Sequence, residues 1–179
     1  MANNCVYNLK VIGDTKKSVE EFIQMMTYSH PSGRYFARFF SADPEPIEEN
    51  NGRYSTKVFG DCAWSVYSCM CDGPSTYYRD LPGGELTCLQ IETRRLGLTV
   101  EVFSEEPGIG FAEHYIFHKG KWLVNEERDF HEYWLDDDFD SIDDFMKEYE
   151  LDLSPEQIEF LEENGYVQIG GFDQKFIIS

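Results

Sequence analysis

The strongest constraint on how this chain folds is a change of hydrophobic period near its start. Cys5, Tyr7, Leu9 and Val11 alternate with Asn4, Asn8 and Lys10, so one face of a strand is apolar and the other polar, with only Val6 blurring the pattern. Gly13-Asp14-Thr15 breaks the strand and supplies a helix N-cap. Val19, Phe22, Ile23 and Met26 then recur at helical spacing. A strand and a helix that each carry one apolar face must bury those faces against each other. Leu9, Val11, Phe22, Ile23, Leu89, Val100 and Val102 are accordingly expected in one core.

The rest of the chain repeats this alternation. The helix stops near His30-Pro31-Ser32-Gly33, and loop signals follow at Asp43-Pro44-Glu45-Pro46 and Asn50-Asn51-Gly52. Strands are expected at Tyr54–Phe59 and Ala63–Met70, joined by a hairpin turn at Gly60-Asp61. A second helix fits Glu85–Leu96 with Gly97 as its C-cap. Leu98, Val100 and Val102 form another strand, and Phe111–Phe117 with Lys121–Asn125 form a second hairpin. The order strand, helix, two strands, helix, strand predicts an α+β ferredoxin-like sandwich, an antiparallel sheet with helices on one face.

Charge divides the chain. Residues 1–90 carry 8 basic and 11 acidic side chains, whereas residues 91–179 carry 7 and 23. Glu126 to Glu163 alone holds 17 acids against Arg128 and Lys147. The expected organisation is therefore a ferredoxin-like domain over 1–125 and an acidic helical extension over 126–179. In the extension, Ser141 with Asp144 and Ser154-Pro155-Glu156-Gln157 each start a helix. Tyr166–Ile169 and Phe176–Ile178 suggest a terminal hairpin across Gly170-Gly171.

Several short segments resemble one family. Met1-Ala2-Asn3-Asn4 precedes the first strand, and Phe40 is followed by Pro44-Glu45-Pro46. Phe59-Gly60-Asp61-Cys62-Ala63-Trp64 is similar to a Trp-Gly-x-Lys-Trp turn in which Phe and Ala replace two landmarks. Cys71-Asp72-Gly73-Pro74 approaches the second helix, and Glu105-Glu106-Pro107-Gly108-Ile109-Gly110 precedes the late hairpin. In this order they resemble phage- and plasmid-borne proteins with a YubB-like ferredoxin-like domain. The resemblance covers roughly residues 1–125. It implies a fold and a mobile-element setting, and it carries no catalytic residues.

Chemistry-bearing patterns are sparse. A net charge of −19 opposes direct contact with nucleic-acid backbones or anionic membranes. Five cysteines without framework spacing, and no apolar leader in Met1–Lys10, point to a reduced, cytoplasmic protein. Cys62, Cys69, Cys71 and Cys88 lack the knuckle spacing of a zinc site. His114 and His118 sit in a strand, about 13 Å apart. Asp136, Asp138 and Asp140 open like a calcium loop, but Ser141 and Lys147 stand where Gly and Glu are needed. No nucleophile elbow or phosphate loop occurs. No metal, cofactor or catalytic residue is expected, and an enzyme is the least favoured reading.

The acidic segment is what remains. It is either a solubilising face or an anionic surface for a basic protein partner. The second reading makes this a non-enzymatic accessory protein, with Trp134, Asp136, Asp137, Asp138 and Asp140 as the partner-binding residues. Phe130, Tyr133, Phe139 and Phe145 either join Trp134 at the partner or anchor the segment internally.

Overall fold

The computed structural model describes residues 4–71, 84–136, 139 and 141–179. It is a mixed α/β chain whose main element is an antiparallel, curled sheet. The first strand, β1 (Asn4–Gly13), leads into α1 (Lys16–Met26), whose Thr15 N-cap accepts from the Ser18 N–H. Short strands β2 (Arg34–Tyr35), β3 (Phe39–Pro44) and β4 (Glu48–Asn50) precede the long β5 (Arg53–Ala63). A π-helical turn, Tyr67–Cys71, follows, and β6 (Glu85–Leu86) pairs with β2 in parallel. Then come α2 (Leu89–Leu96), β7 (Thr99–Glu106), β8 (Phe111–His118) and β9 (Lys121–Trp134). The chain continues with α3 (Ile142–Glu148), α4 (Pro155–Asn164) and β10 (Tyr166–Gly170).

Among the described residues the large sheet has the order β10-β9-β8-β7-β1-β5-β3, with β4 also on β5. Alternation decides its faces. Cys5, Tyr7, Leu9 and Val11 pack with Val19, Phe22, Met25, Leu89, Val100, Val102 and Phe117 on the face covered by α1 and α2. Every expected core residue is buried except Ile23, which is half-buried at the edge. Arg95 ties the helices together, reaching Glu92 on its own helix and Glu21 on α1 at 2.6 Å each. Gly97, in the left-handed region at φ 70°, ends α2 as its sequence requires.

Three local expectations are corrected. Gly60-Asp61 is not a turn, because β5 runs unbroken through it. The glycine is there for a close approach: a Cβ would lie 2.2 Å from the Ser41 carbonyl of β3, which also accepts from the Tyr7 hydroxyl at 2.8 Å. The strand expected at 63–70 ends at Ala63 as the last residue of β5, and the π-helical turn takes over at Tyr67. The helix expected from Glu85 begins at Leu89, since Glu85 and Leu86 pair with β2.

The largest correction concerns Glu126–Trp134. This acidic stretch is the outer half of β9, so the division at Asn125 falls within a strand. Glu126–Asp129 pair with β8 and Phe130–Trp134 with β10, and this pairing overrides the helix-like composition. Beyond it, α3 and α4 form as their caps predict, and Ser154 and Gln157 make a complete capping box. Phe145, Leu153, Leu161 and Val167 bury one another in a second, smaller core. The terminal hairpin is replaced by β10 alone. No helix among the described residues is long and apolar enough to cross a membrane.

Candidate functional site

The acidic region is a folded surface and not a loose tail. Of its aromatics, Phe130 and Phe145 are buried, while Tyr133 and Phe139 pack on the second core. They anchor the region internally. Trp134 does not, and 59% of it is exposed. Strand register places Tyr166 opposite Trp134, and the two rings stack 5.0 Å apart at 29°. Phe160 of α4 meets Tyr166 edge-on at 5.4 Å and is itself 42% exposed. The indole Nε1 donates to Glu132 at 2.8 Å, whose other oxygen accepts from Gln168 at 3.0 Å. The result is an exposed aromatic ridge held in one orientation among carboxylates.

Of the residues predicted at the partner surface, Asp136 follows this ridge in an exposed position. Asp137, Asp138 and Asp140 lie outside the described residues. Sequence reasoning missed Tyr166 and Phe160. Their pairing with Trp134 depends on a non-local strand register that a helical reading of β9 hides.

The other face of the sheet holds a second surprise. Glu101, a carboxylate in the middle of β7, is fully buried. Residues beyond β10 fold back across this face, and Glu101 accepts the Ile177 and Ile178 N–H groups at 2.9 and 3.0 Å. Its second oxygen pairs with His114 Nε2 at 2.9 Å. His114 in turn stacks on Phe103 at 4.1 Å, with Phe172 alongside. His118 bonds separately to Thr99, so the two histidines share no centre.

The third feature is a cleft of about 360 Å³ between the π-helical turn and the β8–β9 strands. Trp64, Tyr67, Phe111 and Tyr115 supply its aromatic wall, and Asn125 and Glu127 of β9 its polar rim. Glu113 forms the floor, almost wholly buried, and accepts four hydrogen bonds. Val66 N–H (2.8 Å) and Tyr67 N–H (3.2 Å) are two, Ser104 Oγ (2.5 Å) and Tyr115 OH (2.9 Å) the others. Burial raises its pKa above the usual carboxylate range, against the lowering effect of those donors. The same burial, with Glu113 beside it, pushes the Tyr115 phenol upward. Two backbone N–H groups aimed at one carboxylate fix where the turn begins.

The cysteines gather elsewhere. Cys5 and Cys62 are opposite each other on β1 and β5, and Cys69 joins them; all are buried and unbridged. Hydrogen bonding to Cys5 and Cys69, with burial, pushes the Cys62 thiol far up, leaving it protonated and unreactive. Among the described residues no three His, Cys, Asp or Glu side chains converge as a metal-ligand set. Compared with known protein families, curated proteins and solved structures, the chain matches none of them.

Proposed function

We propose that the protein is a non-enzymatic accessory protein that binds a basic protein partner through the acidic surface around Trp134. One observation carries this reading: the Trp134–Tyr166–Phe160 ridge is ordered by stacking and by Glu132, yet exposed. An indole that is pre-oriented and still wet loses little entropy on binding and gains burial, the profile of an interface anchor. The surrounding carboxylates supply the field that steers a basic partner. The rival reading, acids that only solubilise, gives no reason for this ridge.

The proposal includes a ferredoxin-like domain of the YubB-like kind and the phage or plasmid setting that goes with it. In its support, β1, α1, β3, β5, α2 and β7 occur in that chain order, with β7-β1-β5-β3 side by side and antiparallel. The mobile-element setting rests on the sequence resemblance.

The test is affinity capture from the native cell with wild type and Trp134→Ala as parallel baits. A partner of high isoelectric point held by wild type and reduced at least tenfold on the variant is the expected result. Equal recovery on both baits, or a partner without excess positive charge, overturns it.

A further inference from the structure

We propose that the cleft beside the π-helical turn is a binding site for an organic cation, an alkylammonium or guanidinium group. The aromatic wall holds the cation and Glu127 neutralises it. This site lies apart from the Trp134 ridge and does not depend on it.

The wall chemistry points to a cation. Trp64, Tyr67 and Phe111 line the cleft, and among the described residues no lysine or arginine does. The faces of such rings are electron-rich and attract cations. A guanidinium already uses one of them: the Arg38 Cζ lies 4.8 Å from the Trp64 ring centroid. Glu127 is exposed at the rim and has no ion-pair partner among the described residues. Register puts Glu127 opposite Glu113 and Asp129 opposite Phe111, so a second carboxylate follows on the same face of β9. Among the described residues these acids outweigh the charge of Arg38.

The local backbone fixes the position of one cleft wall. Trp64 has φ 69°, a left-handed conformation that a bulky side chain adopts only when its surroundings impose it. Glu113 is a positioning residue: its oxygens are taken up by four donors, and through them it holds the Tyr67 and Tyr115 walls. A volume of about 360 Å³ accommodates a four-carbon amine or the end of a lysine side chain.

The cation has two possible sources, a free small amine or a side chain of a polypeptide. Titration of the full chain in 0.15 M salt, followed by the Trp64 indole N–H resonance, separates them. The probes are n-butylammonium, n-butylguanidinium, the neutral n-pentanol, and the peptide acetyl-Gly-Lys-Gly-amide. We expect a saturable shift with both cations and affinity for pentanol lower by about 2- to 30-fold, the worth of the cation–π attraction. Glu127→Gln should weaken the cations about 2- to 5-fold. Glu159→Gln, on the exposed face of α4, should leave them unchanged. A lysine peptide that binds more tightly than butylammonium assigns the site to a polypeptide side chain; equal binding assigns it to a free amine. The proposal is overturned by absence of saturation, by pentanol binding equally well, or by Glu127→Gln and Glu159→Gln weakening binding alike.

Discussion

Glu113 offers the sharpest energetic test of the fold, because one buried carboxylate closes four hydrogen bonds. In Glu113→Ala the Val66 and Tyr67 N–H groups lose their acceptor inside the protein. The buried Val66 N–H and Ser104 hydroxyl each cost about 1–3 kcal/mol when left unpaired. The Tyr67 N–H and the Tyr115 hydroxyl border the cleft, where water can replace the acceptor, and add little. The expected loss is about 3–5 kcal/mol, which for a chain of this size lowers Tm by roughly 6–20 °C. Glu113→Gln keeps one carbonyl but presents an NH₂ to donors, and should cost about 1–3 kcal/mol. The pH dependence has a definite sign. Burial raises the folded-state pKa of Glu113 above its unfolded value. Its contribution is therefore full below the unfolded pKa and declines as pH rises through the folded one. Relative to Glu113→Gln, wild type should lose stability over that window. Urea unfolding across pH 3.5–8 measures both quantities. Glu113→Ala within about 1 kcal/mol of wild type would refute the assignment of the carboxylate as the anchor of the π-helical turn.

Three further outcomes are expected. Phe22→Ala, at a site with no exposed surface, should cost roughly 3–5 kcal/mol in urea unfolding; an unchanged midpoint would mean the main core is drawn wrongly. Gly60→Ala should destabilise by about 1–3 kcal/mol, since its Cβ would meet the Ser41 carbonyl and β3 must shift; a neutral result would show that β3 yields freely. EDTA should leave the melting curve in place, because a structural zinc would contribute on the order of 10 kcal/mol; stoichiometric zinc in the purified protein would contradict this.

The parts of the fold legible in the sequence are those set by local rules. Leu9 and Val11 against Phe22, Gly97 at a left-handed C-cap, and the Ser154–Gln157 box each follow from a few adjacent residues. Glu126–Trp134 was not legible because its first residues pair with β8 and its last with β10, non-local partners that its charge does not announce. Gly60 reads as a turn unless the approach of Ser41, nineteen residues earlier, is known. The burial of Glu101 depends on a segment 76 residues away. Glu113 did leave a trace: Phe111, Tyr115 and Phe117 share its strand face, and a lone carboxylate at a core position demands buried donors. The Trp134 ridge left half a trace, since the indole was singled out but its stacking partner lies across a strand pair.

The central claim, that the acidic surface is a docking site for a basic protein, is tested most directly by association kinetics. The captured partner is measured against wild type and against a variant with Asp136, Asp137, Asp138 and Asp140 replaced by Asn, over a salt series. The account predicts slower association for the variant and a shallower salt dependence, with dissociation little altered and the melting curve retained. Identical association rates and identical salt slopes for the two proteins would contradict it, and would leave the carboxylates as a solubilising face.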